Sequence, residues 1–256
     1  MKTVSSKRTS LFYYHSNSKV ILIAFFSFFI CSCSNDDNQP TVKEEEPPAA
    51  TKEISEEIKG LIYFKGDEKA RTVLINVQAG PADELDTQVV DLIVDNFNTT
   101  DILTVNVHQV QTLTPSIVLG DDITLDQAVN FNSETIETLS KVISYFKNQG
   151  RTVNVLGLSF GAFVTQDLIA KKGIATADKY LLISGRLDMN DVMWQASSEG
   201  REGFFENGIT PMVDSEPVAN VKERNLIRLA AGFARNRYTQ LLNSIEDLSN
   251  LTYIYG

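Results

Sequence analysis

The 256-residue sequence predicts an α/β protein built on a doubly wound, mostly parallel sheet. Three observations predict it. From about residue 61 onward, short strand-like apolar segments alternate with segments of helical apolar spacing, the order that strand–helix–strand crossovers produce. TVLINV at 72–77 and YLLIS at 180–184 are nearly continuous apolar runs, as strands covered on both faces require. A Gly-x-Ser-x-Gly run at 157–161 falls between a strand candidate and a helix candidate.

The elements follow in order. Residues 61–65 (LIYFK) form a short strand, and 72–78 (TVLINVQ), rich in Val and Ile, form a second. Residues 85–97 carry helical spacing, and 103–110 (LTVNVHQV) form the next strand. An irregular stretch follows, with Thr114-Pro115 and Gly120-Asp121-Asp122. Ser133 reads as a helix N-cap with Glu134 in the first turn. That helix repeats apolar residues at Ile136, Leu139, Ile143 and Phe146 and stops at Gly150. Residues 153–158 (VNVLGL) are a strand, 162–171 a helix ended by Gly173, and 180–184 a strand. A long, largely helical segment fills 188–250, and 251–255 (LTYIY) is the last strand.

The first sixty residues read differently. Lys2, Lys7, Arg8 and Lys19 precede the apolar run VILIAFFSFFI at 20–30, which has signal-peptide length. Ile30-Cys31-Ser32-Cys33 then resembles a bacterial lipobox. Cys33 fits the lipidated position better than Cys31, which has bulky Phe29 and Ile30 just before it. The expectation is a lipoprotein signal peptide over 1–32 and a lipid anchor on Cys33. An acidic, Pro-containing tether would then span 33–60, leaving the folded domain at 61–256. Ser34 in place of an aspartate is the pattern of outer-membrane lipoproteins of Gram-negative cells. Both cysteines precede the folded domain, so that domain has no disulfide, no cysteine nucleophile and no cysteine metal site. A formal net charge of −10 argues against nucleic acid as a partner.

Gly157-Leu158-Ser159-Phe160-Gly161-Ala162 is the pattern of a nucleophile elbow, in which a serine on a strained strand-to-helix turn needs small residues two before and two after it. With this motif in its strand order, the chain from about 61 to 256 resembles the α/β-hydrolase superfamily. The resemblance implies Ser159 as nucleophile. Gln78-Ala79-Gly80-Pro81 resembles the His-Gly-Gly-Pro oxyanion loop of esterases and proline-iminopeptidase-like members, with Gln78 in place of histidine and Ala79 in place of glycine. By that resemblance the backbone N–H groups of Gly80 and Phe160 are the oxyanion donors. An ordinary Gly-Pro turn remains the alternative for the loop.

A serine needs a base, and the base an orienting acid, in the chain order Ser, acid, His. The sequence holds His15, in the leader, and His108. In the family's strand order the strand that carries His108 near its end lies two strands from the nucleophile, about 10 Å away at roughly 4.8 Å per strand. His108 therefore reads as structural or substrate-facing. Asp188 follows the 180–184 strand, where some members carry the acid, although a capping aspartate is the plainer reading. The strand at 251–255 resembles the family's penultimate strand, so a truncated chain is expected, with acid, last strand and histidine beyond Gly256.

The segment 188–250 is expected to form a lid. Its parts are 189–207, with Met193, Trp194, Phe204 and Phe205, the loop GITPMVDSEP, and a helix over 221–242. The expected function is hydrolysis of a small-molecule ester, or of an amide or peptide, through an acyl-enzyme on Ser159. No cofactor or metal is expected, since two histidines supply no ligand set. The second hypothesis is an inactive hydrolase-fold lipoprotein that binds a ligand or partner. Oligomeric state is not legible.

Overall fold

A computed structural model of the chain describes residues 53–97 and 101–254. The expected leader, Cys33, the tether up to residue 52 and the last two residues lie outside the described residues. The strands are β1 (Ile62–Gly66), β2 (Thr72–Val77), β3 (Ile102–Val107), β4 (Thr152–Leu158), β5 (Lys179–Ile183), β6 (Gly203–Glu206), β7 (Thr210–Val213) and β8 (Leu251–Ile254). The helices are α1 (Glu56–Lys59), α2 (Gln88–Phe97), α3 (Val110–Leu113), α4 (Ser116–Leu119), α5 (Leu125–Lys147), α6 (Phe160–Lys172), α7 (Asp191–Ser198), α8 (Val221–Ala234) and α9 (Tyr238–Leu241).

The main sheet runs β1-β3-β2-β4-β5-β8. β1 is antiparallel to β3, and every other pair is parallel. This is the doubly wound, mostly parallel sheet that the sequence predicts. Five consecutive residues of β3, from Leu103 to Val107, are buried, so both of its faces are covered, by α2 and by α5. Val73, Ile75, Leu103, Val105 and Val153 are fully buried, and each side chain contributes on the order of 2 kcal/mol.

The larger departures from the expected boundaries are these. The folded unit already includes residues 53–60. Ile54 and Ile58 are 2% exposed, and the Ser55 N–H donates to Tyr145 Oη of α5 at 2.8 Å. Helix α5 starts at Leu125, not Ser133. Thr124 Oγ1 accepts the Gln127 N–H (3.2 Å) while Gln127 Oε1 accepts the Thr124 N–H (2.8 Å), a reciprocal cap. Ser133 sits inside the helix and donates to Val129 O at 3.0 Å.

The stretch after β3, expected to be irregular, holds α3 and α4. The segment expected to be largely helical contains the antiparallel hairpin β6–β7, and α8 ends at Ala234 instead of running to Leu242. Burial ends α8. Tyr238 is 0% exposed, and its hydroxyl approaches both Phe233 O (3.2 Å) and Asp167 Oδ1 (3.4 Å). A straight helix could not fold the chain back to make those contacts.

The segment after β3 and α8 meet at one junction. The 110–124 segment and α8 pack together through Val118, Ile123 and Leu229, with Ala128 of α5 beneath. Asn225 fixes this junction. It is 0% exposed, its Oδ1 accepts the Ile123 N–H at 3.0 Å, and its Nδ2 donates to Val118 O (3.3 Å) and Asp121 O (3.0 Å). Replacing it by leucine keeps the volume but strands a donor and two acceptors. Asn225→Leu is expected to cost about 3 kcal/mol in urea denaturation. A loss below about 1 kcal/mol would show that the three bonds carry little.

Candidate active site

Strand β4 ends at Leu158 and α6 begins at Phe160, so Ser159 alone makes the turn. Its backbone takes φ 53° and ψ −111°, a region that L side chains rarely enter. The two flanking glycines explain how the turn closes. A Cβ on Gly157 would lie 2.6 Å from Gly161 O and 2.7 Å from Thr165 Oγ1. A Cβ on Gly161 would lie 1.9 Å from Val77 O and 2.8 Å from Gln78 O. The first turn of α6 is therefore wedged against the end of β2. The Ser159 N–H donates to Ile183 O at 2.8 Å, which ties the turn to β5. The side chain is exposed and makes no capping bond.

Phe160 opens α6, where the first N–H groups have no partner within the helix. Its ring is 4% exposed and meets Phe233 of α8 edge to face, with centroids 5.4 Å apart. Gly80 follows β2, whose Val77 pairs with Gly157 in register, so its loop leaves the sheet one strand from Ser159 and at the same end. Gly80 takes φ +64° with open space around it.

Gln78, which stands where the resemblance has histidine, holds this loop. It is 1% exposed, its Nε2 donates to Glu84 O (3.2 Å), and its Oε1 accepts the Asp86 N–H (2.9 Å). Gln109 Nε2 donates to Gln78 O at 3.4 Å. Sequence reasoning missed this staple, because a buried glutamine next to a turn carries no pattern of its own.

His108 follows β3, and β2 lies between β3 and β4, the separation that the strand order implied. Its Nδ1 is 2.9 Å from Thr112 Oγ1. The Thr112 hydroxyl also lies 2.8 Å from Gln109 O, and it accepts the Gln109 N–H at 3.0 Å. Burial pushes the imidazole pKa below its ordinary value. Asp188 accepts from both the hydroxyl and the N–H of Thr239, in the first turn of α9.

A second strained serine went unnoticed in the sequence. Ser184, at the end of β5, has φ 56° and is exposed, and its N–H donates to Ile254 O at 2.8 Å. The Ser184-Gly185 pair was the available signal. A Cβ on Gly185 would lie 2.6 Å from Ala162 Cβ and 2.9 Å from Tyr253 Oη. The first turn of α6 and the ends of β5 and β8 therefore crowd into one small area beside the elbow.

The site is thus a serine on a strained strand-to-helix turn at one end of a doubly wound sheet. No protein-family model and no curated protein matches the chain. Solved structures do. One, described as "LipS and LipT, two metagenome-derived lipolytic enzymes", is 12% identical with TM-score 0.40, covering 77% of this chain and 87% of that one. The 1H-3-hydroxy-4-oxoquinoline 2,4-dioxygenase is 14% identical with TM-score 0.45, over 76% of each chain. A thermostable carboxyl esterase from Bacillus coagulans is 12% identical with TM-score 0.42, over 76% of this chain and 84% of that one. The strand order and the strand-to-helix turn at Ser159 define the fold.

Proposed function

We propose that this protein is a serine hydrolase that transfers acyl groups to water through Ser159, with carboxylic esters as substrates. The observation that carries the reading is the Ser159 backbone, held at φ 53° between two glycines that have no room for a side chain. A strained non-glycine residue at the sheet end persists only when its surroundings over-determine it. Ser159 Oγ attacks the carbonyl carbon and its proton passes to a base. The N–H groups of Phe160 and Gly80 receive the oxyanion. The intermediate collapses, the alcohol leaves with the proton, and water hydrolyses the acyl-enzyme by the same steps.

Among the described residues, no histidine lies on a strand next to β4. β8 is parallel to β5 and ends at the elbow side of the sheet, with Ile254 O accepting the Ser184 N–H. Esters are preferred over amides because an alkoxide leaves with less help from a general acid than an amine does. The test is a p-nitrophenyl ester series on the natively expressed protein. A burst of nitrophenolate near one equivalent, absent in Ser159→Ala, is the expected result. Equal traces from both proteins would favour the inactive, ligand-binding alternative.

The same reading places the protein in the cell envelope through lipid on Cys33. Metabolic labelling with an alkynyl fatty acid should mark the wild type, and Cys33→Ser should lose the label. A label retained in that variant would remove the anchor from the account.

A further inference from the structure

We propose that Lys222 is a positioning residue for the oxyanion loop, and that α8 aligns both oxyanion donors at once. This role rests on the acyl-transfer reading above and deepens it. The loop after β2 is stapled at its base by Gln78, but Gly80 stands in open space with a left-handed backbone. The far side of the loop is held by Asp83, whose two carboxylate oxygens each lie 2.8 Å from Lys222 Nζ. The Asp83 side chain is 21% exposed and that of Lys222 40%, so the carboxylate is half-buried while the ammonium stays in contact with solvent. The Lys222 ammonium holds the Asp83 carboxyl below its usual range, and burial opposes that shift.

Lys222 is the second residue of α8, and Phe233, near the other end, packs on Phe160. One helix therefore touches the loop of one donor and the residue that supplies the other. Between these contacts α8 is rigidly seated. Asn132 Nδ2 donates to Leu229 O at 2.9 Å, and a Cβ on Gly232 would meet Asn132 Nδ2 at 2.7 Å. Asp122 binds Arg224 (2.8 Å) and Arg228 (2.6 Å) across the same helix. A helix fixed on the domain body can hold a loop still, whereas a free lysine would only lend it charge.

The experiment is the rate of phosphonate labelling at Ser159 as a function of probe concentration. Lys222→Met and Asp83→Asn should each lower the limiting rate about tenfold, a fraction of the loss expected from deleting a donor outright. The half-saturating concentration should stay unchanged. Lys222→Arg should recover most of the rate, and the double variant should be no slower than either single one. Lys172→Met, which breaks the Lys172–Glu137 pair, should label like wild type. Amide exchange should speed up in the 79–85 loop of Lys222→Met and stay unchanged in α8, which separates a loosened loop from a lost helix. A wild type that labels, with Lys222→Met labelling equally fast, overturns the role alone. A wild type that does not label at Ser159 overturns the acyl-transfer reading and this role with it.

Discussion

Gly161→Ala is expected to destabilise the domain by about 3 kcal/mol or more, one of the largest effects of any single methyl group here. The added carbon would lie 1.9 Å from Val77 O, 2.7 Å from Val77 C and 2.8 Å from Gln78 O. All three are backbone atoms of β2 or of the residue after it, so no rotamer change relieves the clash. Either α6 lifts from the sheet or β2 shifts against β4, and both moves break buried packing around Leu74, Val77 and Val164. Gly80→Ala is the matched control. Its φ of +64° is also unfavourable to alanine, but nothing lies within 4 Å of the new carbon. It should cost only about 1–2 kcal/mol. Urea denaturation of the two variants distinguishes steric from conformational cost. Equal losses would contradict the wedge of α6 on β2.

Ser159 carries the second large effect. Ser159→Ala should reduce acyl transfer by on the order of 10³-fold or more, because the attacking oxygen is gone and only the oxyanion donors remain. It should leave stability nearly unchanged, since alanine inherits the backbone at φ 53°. Ser159→Gly should be equally inactive yet more stable by about 1 kcal/mol, because glycine enters that region without penalty. For a domain of this size that gain raises Tm by about 2–4 °C. Together the pair would show strain maintained for function. A glycine variant no more stable than the alanine variant would mean that the turn is relaxed.

The parts of the fold that local pattern controls were legible. β2, β4 and β5 are apolar runs whose burial needs no knowledge of their neighbours, and the elbow announces itself through its two glycines. The start of α5 was not. Ser133-Glu134 imitates a cap, while the working cap at Thr124 depends on a reciprocal bond with Gln127 before a weakly apolar first turn. The hairpin β6–β7 had a usable signal that went unread. Asn207-Gly208 takes φ 52° and 74°, the pairing of residues that tight hairpin turns favour. The docking of Ile54 and Ile58 was hidden because two apolar residues in an acidic run look like tether until α5 is there to receive them.

The polar devices around the site were the least legible. Asn225 meets Ile123 across 102 positions, and Lys222 meets Asp83 across 139. Each residue alone is an unremarkable member of a polar helix face. Only the fold makes one a buried staple and the other a strut for the oxyanion loop. Asp188 likewise meets Thr239, 51 positions further along the chain, a contact visible only in the fold.

The central claim is that Ser159 is a nucleophile. Intact-mass measurement after incubation with a serine-directed alkyl fluorophosphonate, followed by peptide mapping, tests it most directly. The account predicts a single adduct on the peptide that carries Ser159, absent in Ser159→Ala. An unmodified protein, or an adduct on another residue, would contradict it.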